Sequence, residues 1–237
     1  MPIRIAAAGD IHASEATRAE TAEAFADVGQ RVDLVLLAGD LTQHGQVGEA
    51  EVVADACRGL EVPVVAVLGN HDYHSDRQAE VTAALVDAGV LVLERSSTIL
   101  QLDGATVGIA GVKGFVGGFG HQWANFGEPL VRQAYAETTA DVEALAAALR
   151  AIAGARVRVA LLHYAPTAET LRGEPKELWL VLGAERLAEP ILEHRPDLVL
   201  HGHAHVGSPN GAIDGVPVHN VSVHVTGESF ALFTLPA

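Results

Sequence analysis

The stretch Val62-Pro63-Val64-Val65-Ala66-Val67-Leu68-Gly69-Asn70-His71-Asp72 decides the fold, because an apolar run ends on glycine and passes into three polar side chains. A continuous apolar run this short, opened by proline, reads as a strand buried on both faces. Glycine at its end permits a sharp turn and lets the backbone approach an ion closely. The same order recurs along the chain. Ile3–Ala8 runs into Gly9-Asp10-Ile11-His12, and Leu34–Ala38 into Gly39-Asp40. Arg156–Leu162 runs into His163, and Asp197–Leu200 into His201-Gly202-His203-Ala204-His205.

Helical patterns follow the first three strands, over Glu15–Val28, Val47–Leu60 and Arg77–Ala88. Strand alternating with helix predicts parallel strands in an α/β domain. Further on, Thr98–Leu102 and Ala105–Ala110 flank Asp103-Gly104, a favoured hairpin turn. A glycine-rich loop, Gly111–Gly120, leads towards an alanine-rich helix over Thr138–Ala153. A helix over Ala184–Glu193 separates the last two motif-bearing strands, and Val216–Val223 and Ser229–Leu235 read as strands. No repeat or linker interrupts the chain. The expected architecture is one α/β domain over residues 1–237, a two-sheet β-sandwich flanked by helices.

Composition narrows the function. With 49% hydrophobic and 19% charged residues among 237, the chain is neither disordered nor fibrous. Lys+Arg 15 against Asp+Glu 30 gives a net charge of −15, and no basic cluster is present to follow a phosphate backbone. Duplex nucleic acid is therefore not an expected partner. No apolar run approaches the ~18 residues of a membrane span, and the opening MPIRIAAAGD carries no basic leader. The single cysteine, Cys57, excludes an internal disulfide and any multi-cysteine zinc site, and reads as a small buried hydrophobe. A reducing, cytoplasmic setting is expected.

Twelve histidines are the unusual number, and several follow the strand ends. In α/β sheets the carboxyl ends of parallel strands line the ligand crevice. Asp, His and Asn donors converging there suit divalent metal ions. Asp and Asn also cap helices. Capping, however, accounts for neither the histidines nor their place at strand ends.

The order D-x-H, G-D, G-N-H-D, H, G-H-x-H, from Asp10 to His205, resembles the calcineurin-like metallophosphoesterase superfamily. The stretches Gly39–Gly45 (GDLTQHG) and His163–Pro166 (HYAP) are similar to its branch containing bacterial cyclic-nucleotide phosphodiesterases. The resemblance implies two divalent metals, drawn from Mn, Fe, Zn, Co or Ni. Asp10, His12, Asp40 and His205 would hold the first; Asp40, Asn70, His163 and His203 would hold the second. Asp40 would bridge them, as a carboxylate with two oxygens can. The implied activity is hydrolysis of a small phosphate mono- or diester by a metal-bound hydroxide. His71 would serve at the reacting phosphoryl group, and Asp72 is expected to orient its imidazole.

The remaining histidines are expected to play other parts. His201 reads as a buried support behind the ligands, and His44, His74, His121, His194, His219 and His224 as solvated or structural. The glycine loop is no P-loop, since Gly-Lys-Ser/Thr is absent. It is a candidate lip carrying Lys113, Phe115, Phe119 and His121, and Thr167–Gly183, with Arg172, Lys176 and Trp179, is a second. Two other readings compete with hydrolysis of phosphate esters. A metallo-β-lactamase-like site would need H-x-H-x-D-H, but Val206 and Gly207 follow His205. A catalytically silent metal-binding scaffold of the same fold would be signalled by missing ligands, and none of the positions is missing.

Overall fold

The computed structural model describes residues 2–102, 104–120 and 127–236. Eleven strands form two sheets: β1 (Ile3–Ala8), β2 (Leu34–Ala38), β3 (Val64–Val67), β4 (Leu91–Val92), β5 (Ser96–Leu102), β6 (Ala105–Gly111), β7 (Val157–Leu161), β8 (Leu198–His201), β9 (Asn210–Ile213), β10 (Val216–Asn220) and β11 (Ala231–Leu235). The first sheet runs β11-β1-β2-β3-β4, the second β5-β6-β7-β8-β10-β9. β1 to β4 are parallel, with β11 antiparallel at the edge beside β1. In the second sheet β6, β7, β8 and β10 are parallel, edged by β5 and β9 in antiparallel pairing.

Alternate strand residues explain why two sheets form, since side chains on a strand point to opposite faces. Ile3, Ile5, Leu34, Leu36, Val65 and Val67 of the first sheet share one buried cluster with Val107, Ile109, Val159, Leu161, Leu198 and Leu200 of the second. Their neighbours turn outward. Ala6, Val35, Leu37 and Ala66 pack with Phe25, Val53, Cys57 and Leu85 from the helices α1 (Arg18–Phe25), α2 (Val47–Arg58) and α3 (Gln78–Asp87). On the other side, Ala110, Ala160 and Val199 pack under α4 (Pro129–Ala151) and α6 (Ala188–His194), with α5 (Trp179–Leu182) between these two in sequence. The result is the expected sandwich of two sheets with helices outside. Cys57 is buried in the outer cluster, and burial pushes its thiol up to about 12.

Several boundaries differ from the sequence expectation. The helix expected over Glu15–Val28 is a capped 3₁₀ turn at Glu15–Thr17, then α1, then a 3₁₀ turn at Val28–Gln30. α4 begins at Pro129, nine residues before Thr138 (138 − 129), because its first two turns carry little buried surface: Leu130 is 80% exposed. The strand expected over Val216–Val223 stops at Asn220, and a short helix, α7 (Val223–Thr226), follows. The hairpin expectation holds for β5 and β6, whose register ends at Leu102 opposite Ala105. Asp103 of that turn and His121 of the candidate lip lie outside the described residues. Among the described residues no helix is long and apolar enough to cross a membrane.

Candidate metal centre

The carboxyl ends of β1, β2, β3, β7 and β8 bring their polar loops to one edge of the sandwich. Here the backbone is forced into conformations that side chains resist. Asp10, His12, Asp40 and His203 all have positive φ, at 58°, 48°, 50° and 69°. Such residues cost about 1–3 kcal/mol each and persist where the surroundings over-determine them. Cross-loop bonds do this here: Asp10 N–H donates to the Gly39 carbonyl at 3.0 Å, and His12 N–H to that of Asp40 at 3.0 Å. Gly39, at φ 83°, admits the His163 ring; a Cβ there would stand 2.6 Å from Nδ1.

Two groups of donors emerge, with Asp40 common to both. In the first, one donor atom each from Asp10, His12, Asp40 and His205 lies within 4.8 Å of the others. His205 Nε2 is 3.1 Å from Asp10 Oδ1, and His12 Nε2 is 3.9 Å from Asp40 Oδ2. In the second, Asp40, His163 and His203 meet the same criterion. Asn70 joins them through its amide oxygen, 3.0 Å from His163 Nε2. The seven residues expected to gather at the site are therefore gathered.

Hydrogen bonds fix which nitrogen each ring presents. His163 Nδ1 lies 2.8 Å from the Ala38 carbonyl, which can only accept, so Nδ1 carries the hydrogen and Nε2 is left facing oxygens. His203 Nε2 donates to the Val181 carbonyl at 3.1 Å, which leaves Nδ1 for the centre. Burial pulls His12 down to about 4 and His203 to about 3, against the attraction of Asp40, so both rings hold lone pairs at neutral pH. His12 Nε2 is buried with no hydrogen-bond partner among the described residues. A buried, unpartnered ring nitrogen beside a carboxylate has the chemistry of a metal ligand. The donor set thus fits divalent metal.

Behind the ligands, His201 is fully used. Its Nδ1 is 2.8 Å from the Gly202 carbonyl and its Nε2 2.8 Å from the Thr170 hydroxyl, while burial lowers it to about 4. It is a neutral strut under the His203 loop, as expected. Asn220 does similar work, its amide donating to the Ala204 carbonyl at 2.7 Å.

His71 stands beside the first group, its ring edge-on to that of His12 at 4.4 Å and tilted against that of His74 at 4.2 Å. Its backbone N–H donates to Asp40 Oδ1 at 2.8 Å. The expected partner for its imidazole is wrong. Nδ1 donates to the Gln43 carbonyl at 2.7 Å, whereas Asp72 is fully buried and turned elsewhere. Asp72 accepts from the backbone N–H of Thr42 and Gly69, both at 2.8 Å, from Leu41 N–H at 3.3 Å, and from the Thr42 hydroxyl at 2.6 Å. Asp72 pins the β2 and β3 loops together and does not orient His71.

His224 departs from its expected peripheral role. The turn into α7 brings its ring to 4.5 Å from His205 and 5.9 Å from His12, and a donor atom of each of the three lies within 4.8 Å. No motif marks it. By contrast His44 pairs with Glu49 at 3.2 Å, and His219 bonds Asn210 at 2.8 Å with its ring tilted against that of Phe233. Of the lip candidates, Arg172 is exposed and lies 3.5 Å from Glu169, and Phe119 meets Trp179 edge-on at 6.2 Å. Lys113 and Phe115 are drawn in towards Asn70, in a cavity of about 310 Å³. A larger open cleft near α1 and β11, about 1060 Å³, has no histidine in its walls.

A two-sheet sandwich with aspartates and histidines gathered at its strand ends defines the metallophosphoesterase class of fold. Residues 3–207 match the profile of the calcineurin-like phosphoesterases, and the chain belongs to that family. No curated protein matches the chain. Among solved structures it is similar to a phosphopantetheinyl hydrolase from Mycobacterium tuberculosis, with TM-score 0.67 and 16% identity over 97% of this chain and 95% of that one. A Thermus thermophilus protein superposes with TM-score 0.62 at 18% identity, over 99% and 98% of the two chains. The anchor protein of the Plasmodium inner membrane complex gives 0.58 at 12%, covering 94% of this chain and 72% of that one. These likenesses concern the fold.

Proposed function

We propose that residues 1–237 form a single domain that hydrolyses a small phosphate mono- or diester at a dinuclear metal centre. The observation that supports this most is Asp40, whose carboxylate belongs to both donor groups. Asp10, His12, Asp40 and His205 would hold one ion, and Asp40, Asn70, His163 and His203 the other. Bound there, two divalent cations of the Mn, Fe, Zn, Co or Ni type would activate a water for in-line attack and neutralise phosphoryl oxygens.

The chain's own groups do the rest. Gln43 holds Nδ1–H of His71, so Nε2 is the nitrogen that meets solvent or substrate. Protonated, Nε2 donates to the departing ester oxygen; neutral, it accepts the proton of the entering water. The charge of two bound cations, offset by the two aspartates, would attract a phosphate ester in spite of the chain's net −15. A single buried cysteine fits a reducing cytoplasmic setting.

The test is hydrolysis of p-nitrophenyl phosphate and bis-p-nitrophenyl phosphate with added Mn²⁺, Zn²⁺ or Fe²⁺, alongside metal content by mass spectrometry. Two ions per chain and turnover that Asp40→Ala abolishes are expected. Two ions with no turnover of any ester would favour a scaffold instead, and no bound metal would sink the reading.

A further inference from the structure

Beyond the ligands, the cavity of about 310 Å³ meets the second donor group at Asn70, has Tyr164 in the same wall, and extends to Lys113 and Asp141. Tyr164 follows His163 in sequence, and its ring lies tilted against that of His203 at 4.3 Å. A phosphoryl group on the centre would therefore face this cavity with its ester oxygen. At the small end of the range for ligand clefts, roughly 300–1,000 Å³, it suits a compact alcohol rather than a polymer.

Two polar groups in its wall have unspent capacity. Asp141 is 2% exposed, and its Oδ1 takes Arg95 Nε at 2.6 Å. Its Oδ2 is buried with no partner among the described residues. Lys113 has three N–H donors, and its ammonium meets one acceptor, the Gly114 carbonyl at 3.1 Å. No carboxylate of the described residues lies within ion-pair distance of it. Three aromatic rings surround it instead, those of Tyr73, Phe115 and Tyr164, at 5.4, 4.9 and 5.1 Å. The other charges lining the cavity are already engaged: Arg95 with Asp141 and Glu137, and Glu94 with the Tyr73 hydroxyl.

An unspent acceptor and unspent donors in one cavity require a ligand that both gives and takes hydrogen bonds. A simple anion would satisfy Lys113 and be repelled by Asp141. A simple cation would do the reverse. A hydroxyl serves both, donating to Asp141 Oδ2 and accepting from Lys113 Nζ, and the aromatic faces receive the C–H faces of the same molecule.

We propose that this cavity is the leaving-group subsite and that it selects a polyhydroxylated alcohol, with Asp141 and Lys113 as the specificity-determining pair. The inference rests on the reading of the metal centre as the seat of the phosphoryl group. A site built to bond hydroxyls rejects the analogue lacking them, because its buried polar groups are then left unpaired.

The experiment compares glycerol 1-phosphate with n-propyl phosphate, which differ only by two hydroxyls, on the metal-loaded protein. A preference of about tenfold or more in kcat/KM for the glycerol ester is expected. Asp141→Asn and Lys113→Met should each bring that ratio towards one. Equal turnover of both esters by the wild type would overturn the proposal while leaving phosphoesterase activity intact. If neither monoester turns over, calorimetric titration with 2,3-dihydroxypropyl phosphonate and propyl phosphonate decides it. Tighter binding of the dihydroxy compound, lost in the variants, supports the subsite; equal binding overturns it.

Discussion

Asp40 Oδ1 stands 3.3 Å from Nε2 of His163, while the same ring donates from Nδ1 to the Ala38 carbonyl at 2.8 Å. The neutral ring would aim a lone pair at a carboxylate and at the Asn70 oxygen, so a positive charge belongs between them. Burial alone would lower His163, but the Asp40 charge overcomes it and holds the ring up at about 9. Burial would likewise raise Asp40, and His163 keeps it well below the usual carboxylate range. A raised histidine stays protonated below its own value, so at pH 7 an entering ion must displace that proton. Loading the second position at pH 7 should release close to one proton, and above about pH 10 none, with apparent affinity rising in between. Titration with an indicator dye in weak buffer measures this. Release independent of pH would place the proton elsewhere.

Asp72 gives a prediction opposite in kind. It accepts four hydrogen bonds from two loops, and the His71 imidazole bonds Gln43 instead. Asp72→Ala leaves those donors buried and unpaired, and should cost about 2–4 kcal/mol of stability in urea denaturation. Asp72→Asn should lose nearly as much, since its amide would turn N–H groups towards N–H groups. The pH dependence of kcat should keep its shape in any variant that still folds. A stable Asp72 variant with a shifted pH profile would restore the orienting role.

The difference between legible and hidden features follows from burial. Ile3–Ala8 and Leu34–Ala38 are apolar because both their faces are covered, so a run of residues announces each strand. The ligand motifs are legible for a related reason: each begins where such a run stops. Nothing comparable marks the first turns of α4, where the buried positions begin only at Thr138. β9 reads Asn-Gly-Ala-Ile and lies at a sheet edge, with one buried residue of four. The Asp72 contacts to Leu41 and Thr42 reach back 31 and 30 positions, and three of its four go to backbone N–H groups, which a sequence pattern does not encode. His224 was hidden because a four-residue helix, not a strand end, carries it to the centre.

His71 can be separated from the ligands by measurement. Among the described residues its ring belongs to none of the donor groups, and Gln43 occupies its Nδ1. His71→Ala should lower kcat by about 10²–10⁴, the usual range for a lost general acid or base. Metal content should remain at the wild-type value, because the backbone N–H that donates to Asp40 is retained. Parallel kinetics and metal analysis make the test. If metal is lost in proportion to activity, His71 is a structural prop for Asp40.

Gly69, at the end of the β3 run, confines Asp40. A Cβ at this position would fall on the Asp40 carboxylate and backbone nitrogen, with Asp40 Cγ at 2.8 Å. Asp40 cannot retreat, since it is buried, sits at φ 50° and accepts from the His71 N–H. Gly69→Ala must therefore displace the residue shared by both donor groups. It should cost about 1–3 kcal/mol of stability, as overpacking does, and weaken metal binding by tenfold or more. Gly59 supplies the control. It follows α2 at φ −83°, and a Cβ there meets nothing within 4 Å. Gly59→Ala should be neutral or stabilise by up to about 1 kcal/mol, through the unfolded chain's lost freedom. Thermal unfolding with and without metal reads both variants. If the Gly69 variant binds metal as the wild type does, Asp40 is less confined than its contacts imply, and its sharing between two ions loses its geometric support.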